Sequence, residues 1–129
     1  MDKTAQRHLK TVLLVDDDDV YRISTKWFLA NFGYTVVSVR TAEEALAQFD
    51  PDIHDVVVTD HDMPGVSGVE MAHIIKLRSP FTPVIMCSTR SPEDQSSLDV
   101  IFEKPTHLLV LKDALDKLVA ARQPAIGCN

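Results

Sequence analysis

Three features of the 129-residue chain predict an α/β domain in which a parallel sheet is covered by helices on both faces. Strand-like and helix-like stretches alternate along its whole length, the pattern of a sheet built from crossover units with right-handed connections. The strand-like runs TVLLV, VVVT and PVIMC are apolar without the two-residue alternation of a half-exposed strand, so they read as strands buried on both faces. Finally, four apolar runs each end in a polar residue: Asp16 and Asp17, then Asp60, Ser88 and Lys104. Side by side and parallel, those strands would gather acids, a hydroxyl and an ammonium at one rim, where open parallel sheets hold their chemistry.

Taken in order, residues 11–15 form the first strand and Asp16 to Asp19 the loop after it. Asp19 is placed to cap a helix from Val20 to about Phe32, with Ile23, Trp27, Ala30, Phe28 and Phe32 at helical spacing, and Gly33 stops it. Residues 34–39 read as the second strand. Thr41 then caps a short helix with Ala42, Ala45, Leu46 and Phe49 on one face, ended by Pro51. The third strand spans 55–59, and a third helix follows over about 69–78 with Ala72, Ile75 and Leu77 or Ile74 inward. Pro80 and Pro83 fence off the fourth strand. Only fifteen residues separate Ser88 from Lys104, they must also hold most of the next strand, and a crossover with its helix needs at least about 10 to 12, so any helix here is one or two turns. The segment SPED has helix-start chemistry, with Ser91 as N-cap, Pro92 at the first position and acids in the first turn. A stub over about 92–98 or a plain loop both satisfy this interval. The last helix runs over about 107–122 with Leu108, Leu111, Leu115, Leu118 and Val119 apolar.

One domain over 11–122 accounts for the chain, with a polar extension at 1–10 and a tail at 123–129. A net charge of −6 without a basic cluster argues against direct nucleic-acid binding. Cys87 reads as core and Cys128 as tail, and neither CxxC nor metal-spaced histidines are present. No apolar run approaches a membrane span and the start lacks an apolar signal region, so a cytoplasmic protein without a membrane partner is expected. His8, His54, His73 and His107 read as solvent-facing, Asp18 and Asp19 as helix caps, and Gly65 and Gly68 as turn residues.

Carboxylates brought together repel by about 4 kcal/mol per pair at 4 Å and an effective dielectric near 20, so a counter-charge is required. An all-oxygen set of Asp16, Asp17 and Asp60 suits a hard cation that keeps waters, magnesium before zinc. With Lys104 as a point charge and Ser88 as a donor, this is the equipment of phosphoryl transfer, Asp60 being the nucleophile.

In order and spacing, VLLVDDDD, VVVTDHDMPGVSG, PVIMCST and FEKP resemble the receiver domain of two-component response regulators over nearly the whole chain. The resemblance implies a flavodoxin-like sheet of five parallel strands ordered 2-1-3-4-5. It implies that Asp60 is the phosphoacceptor, Asp17 binds Mg2+ directly and Asp16 largely through water, and the carbonyl of Asp62 completes the metal shell. Ser88 would be the switch hydroxyl and Lys104 the phosphate-binding lysine, joined to Pro105 by a cis bond. The implied activity is acceptance of a phosphoryl group from a histidine kinase or phosphotransfer protein, followed by slow hydrolysis; no other reaction is catalysed, and the downstream protein target is unnamed. Two positions depart from the family. Ile101 stands where the switch aromatic is usual, with Phe102 facing the opposite way, and the interval after Ser88 is too short for the family's full fourth helix.

Two other readings compete. TDHD is similar to the Asp-x-Asp motif of haloacid-dehalogenase-type phosphatases, but that motif belongs to a first strand. A pseudo-receiver, a binding module that is never phosphorylated, would share the fold. Asp62 and Arg90 lie two residues beyond Asp60 and Ser88, at family positions that flank the water path to the phosphoryl group. Their opposite charges predict a pair partly lidding the site.

Overall fold

The computed structural model describes residues 10–122; His8, Cys128, the tail at 123–129 and all of the N-terminal extension but Lys10 lie outside them. The elements are β1 (Lys10–Val15), α1 (Asp19–Ala30), β2 (Tyr34–Val39), α2 (Ala42–Gln48), β3 (Val56–Thr59), α3 (Gly68–Arg78), β4 (Val84–Ser88), β5 (Val100–Glu103) and α4 (Leu108–Arg122). The five strands are ordered β2-β1-β3-β4-β5, and every neighbouring pair is parallel. None of the described helices is long and apolar enough to cross a membrane.

The unalternating apolar runs are explained by two cores, one on each sheet face. Val12, Leu14, Val58 and Ile85 point to α1 and α4, where Leu29, Leu111 and Leu115 meet them. Leu13, Val15, Val57 and Val84 point the other way, against Ala42 and Ala45 of α2 and Met71 and Ile75 of α3. Burying each large side chain contributes about 1.5–3 kcal/mol, so the sheet's rigidity comes from both faces at once. That rigidity holds the strand ends in register.

Several local expectations are corrected. Asp18, not Asp19, caps α1: its side chain accepts from the Val20 and Tyr21 amides, and Asp19 is the first helical residue. The inward face of α1 carries Arg22, Thr25 and Leu29, while Ile23 (53% exposed) and Trp27 (72%) face out. Hydrophobicity misleads there because two of the inward positions are polar. β1 begins one residue earlier than expected, and β3 one later, since Asp55 instead bonds Thr11, carboxylate to amide and amide to carbonyl. In α3, Leu77 is exposed and Ile74 half-buried, whereas Met71, Ala72 and Ile75 are buried.

His54 is buried rather than solvent-facing. Its Nδ1 accepts from the Asp50 amide and its ring stacks on Phe49, so burial holds its pKa below the ordinary histidine value.

The segment between β4 and β5 contains no helix: residues 89–99 are bends and turns, and the SPED helix start is not used. The Asp94 carboxylate accepts from the Ser96 amide and hydroxyl, closing a local turn that competes with helix. His73 of α3 is hydrogen-bonded to Ser97 (2.5 Å) and to Asp94 (3.0 Å). At the segment's end the Asp99 carboxylate accepts from the Val84 amide and pairs with Lys76. Pro92 is buried and Leu98 packs on the α2–α3 face.

Candidate functional site

Register alone brings the two acidic strand ends together. Val15 is paired with Thr59, so the next residues, Asp16 and Asp60, emerge side by side at the carboxyl rim. The Asp60 amide donates to the Val15 carbonyl (3.0 Å) and the Asp16 amide to the Val39 carbonyl (3.2 Å). Lys104 follows β5 and donates its amide to the Ser88 carbonyl (2.7 Å), which seats the ammonium on the same rim. The Lys104–Pro105 peptide is cis, as the resemblance implied.

Asp16, Asp17 and Asp60 offer carboxylate oxygens that all lie within 4.8 Å of one another. The Lys104 ammonium is 2.8 Å from Asp16 and 3.8 Å from Asp60, and lies over the Tyr21 ring at 4.1 Å. Asp16 is 1% exposed. Burial raises its pKa above the usual carboxylate range, against the lowering effect of the Lys104 and Asp18 hydrogen bonds. Its Oδ1 accepts from the Asp18 amide and its Oδ2 from Lys104. Asp60 Oδ1 accepts from the His61 amide at 2.7 Å. The Ser88 hydroxyl is buried without a partner, an unusual condition for a buried polar group and one that an incoming ligand oxygen would relieve.

Across the mouth, Arg90 holds Asp62 with both arms of its fork, Nε to Oδ2 at 3.1 Å and Nη2 to Oδ1 at 2.9 Å. The paired side chains are 68% and 47% exposed, so the contact stands at the surface. Ile101 is half-buried opposite Met86, and Phe102 packs on the other face with the α1–α4 core, as strand alternation requires.

Sequence reading missed two contributors. Arg22 is buried beneath the acidic loop, and only its place one turn after Asp18 signalled it. Gly68 is a packing residue rather than a turn residue: a Cβ there would sit 2.1 Å from the Asp60 carbonyl, so only glycine lets α3 start against the site. Gly65, with φ of +80°, is a turn residue as expected.

Residues 12–121 match the response regulator receiver domain family. This chain belongs to that family. The receiver is 30% identical over 126 residues to the autoinducer 1 sensor kinase/phosphatase LuxN of Vibrio campbellii, covering 92% of this chain but 15% of that protein. Among solved structures it resembles the response regulator TrrA of Thermotoga maritima in complex with Mg(2+)-BeF, with a TM-score of 0.79, 30% identity, and coverage of 85% of this chain and 99% of that one. A CheY-like receiver domain protein from Methanospirillum hungatei aligns with a TM-score of 0.83 and 26% identity, covering 88% and 96% of the two chains. Family membership displaces the phosphatase reading of TDHD, which here lies at the end of the third strand. The acidic cluster is the kind found at phosphoacceptor sites and does not favour the pseudo-receiver.

Proposed function

We propose that this receiver takes a phosphoryl group onto Asp60 from a histidine kinase or histidine phosphotransfer protein, with Mg2+ as cofactor. The observation that carries the reading is the three-carboxylate cluster closed by the Lys104 ammonium. An all-oxygen set of this spacing fits a hard divalent cation. Asp17 and Asp60 would hold it directly, with the Asp62 main-chain carbonyl. Asp16 would act largely through water, because both of its carboxylate oxygens already accept hydrogen bonds. Bound there, the cation would neutralise charge on the oxygens of the transferring phosphoryl group.

Asp60 Oδ1 is engaged by the His61 amide, which leaves Oδ2, on the Lys104 side, to attack phosphorus. The new O–P bond forms as the P–N bond to the donor imidazole breaks. The electron pair leaves with that imidazole, which takes a proton from water, and the product is an acyl phosphate. Lys104 then exchanges its hold on Asp16 for a phosphoryl oxygen, and the unpartnered Ser88 hydroxyl donates to another. Fixed donors of this kind act by positioning and charge stabilisation. The domain catalyses only this transfer and the slow hydrolysis of the acyl phosphate, in which water attacks phosphorus, inorganic phosphate leaves and the Asp60 carboxylate is restored; the Arg90–Asp62 pair restricts the water's approach. An exposed apolar stripe on α1, Val20, Ile23 and Trp27, starts three residues beyond Asp17 and suits a helix of the phosphodonor.

Incubation with acetyl phosphate and Mg2+, read by intact mass, is expected to add one phosphoryl group to the wild-type chain and none to Asp60→Asn, since an amide is no substitute for the carboxylate nucleophile. A wild-type chain that gains no mass, or an Asp60→Asn chain that gains it at residue 60, overturns the reading.

A further inference from the structure

Arginine is almost never fully buried unless paired, yet the Arg22 side chain is only 11% exposed. Both arms of its fork are committed. Nη1 donates to the main-chain carbonyl of Asp16 at 2.9 Å, and Nη2 meets the Asp19 carboxylate at 2.8 Å. Arg40 meets the same Asp19 oxygen at 3.1 Å. Arg22 therefore reaches back across the first turn of α1 and ties the end of β1 to the start of the helix. The carbonyl it grips belongs to the peptide whose other end is Asp17. That peptide sets the direction in which the Asp17 carboxylate leaves the chain.

We propose that Arg22 is a positioning residue for the cation site: by fixing the Asp16 carbonyl it holds the 16–17 peptide so that Asp17 converges with Asp60. The inference rests on the reading of these acids as the Mg2+ site. Asp16 is then held at every polar atom: its amide by Val39, its carboxylate by Asp18 and Lys104, and its carbonyl by Arg22. Remove the last, and a buried carbonyl loses its donor in a peptide whose rotation would swing Asp17 away. The planar fork matters as well as the charge, because one group must bridge two acceptors on opposite sides of a turn; a lysine ammonium is a single point.

The test is Mg2+ affinity by calorimetry, together with phosphorylation by acetyl phosphate over a Mg2+ series, for the wild-type chain, Arg22→Met and Arg22→Lys. Outer residues that orient metal ligands typically govern affinity by 10- to 100-fold, so Arg22→Met is expected to weaken Mg2+ binding about tenfold or more and Arg22→Lys by less. The maximal phosphorylation rate should return at saturating Mg2+, because Arg22 touches neither Asp60 nor the phosphoryl group. A folded Arg22→Met chain with wild-type Mg2+ affinity overturns the inference, as does a lowered plateau rate with affinity unchanged. Should Arg22→Met fail to fold, Asp19→Ala frees one arm of the fork at an exposed position. It is expected to weaken Mg2+ binding about two- to threefold, and an unchanged affinity there overturns the inference equally. A wild-type chain that binds no Mg2+ removes the cation site itself and this inference with it. Wild-type binding with unaffected variants removes Arg22 alone.

Discussion

The acidic rim and the 89–99 segment lie next to each other and are built in opposite ways. At the rim, the residue after each strand lands where the strand's register puts it: Val15 pairs with Thr59, and Asp16 and Asp60 follow. In the 89–99 segment the local chemistry favours a helix start, and no helix forms. Pairs reaching across the chain decide its course, Arg90 to Asp62, His73 to Asp94 and Ser97, and Asp99 to Val84 and Lys76. Position along a buried strand transmits order without any special side chain. A short crossover has no such frame and takes its shape from whichever polar groups it meets.

That contrast predicts unequal sensitivity to mutation. At the rim the largest effect is expected: Asp17→Ala should weaken Mg2+ binding by more than the roughly tenfold of an outer residue, whereas Asp18→Ala should leave it nearly unchanged. Asp18→Ala should instead cost about 1 kcal/mol of stability, the worth of a helix cap. Calorimetric Mg2+ titration and thermal melts of both variants check this, and equal losses of affinity would erase the distinction between ligand and cap.

In the 89–99 segment the effects should be smaller and shared. An exposed ion pair is worth about 0 to 1 kcal/mol, so Arg90→Ala should speed phosphoryl loss up to about fivefold. Asp62→Ala should do the same, and the double variant little more. Decay of the phosphorylated chain followed by mass measures all three; additive rates would mean that the two side chains act separately.

The smallest effect concerns His54, where polarity predicted exposure and packing enforced burial. Its folded pKa is depressed, so the stability it lends is complete above the ordinary histidine value and is lost as pH falls through the depressed one. Melting temperatures between about pH 7.5 and 5 should therefore fall more steeply for the wild-type chain than for His54→Gln. Parallel curves would show that His54 titrates as an exposed histidine does.

Both successes and errors in reading the sequence trace to the same cause. The central strands β1, β3 and β4 were legible because a strand sealed on both sides is apolar nearly throughout, and the polar residues at its end mark the rim. The Asp62–Arg90 pair was legible because each residue lies two beyond a rim residue. The inward face of α1 was not, because Arg22 and Thr25 occupy it while Ile23 and Trp27 turn outward. A periodicity argument sees apolar spacing and cannot see that a buried arginine is satisfied by a carbonyl and a carboxylate.

By itself, the sequence determined a parallel α/β domain with three acids, a hydroxyl and a lysine at one rim, since burial on both sheet faces leaves its mark residue by residue, and the order and spacing of its motifs carried the resemblance to a receiver. Only the tertiary structure decided that Asp18 caps α1, that Gly68 makes room for the Asp60 carbonyl, that Arg22 grips Asp16 and that residues 89–99 form no helix. Each of these depends on which atoms meet in space, whether as hydrogen-bond partners or as a clearance that only glycine leaves, and spacing along the sequence does not carry those distances.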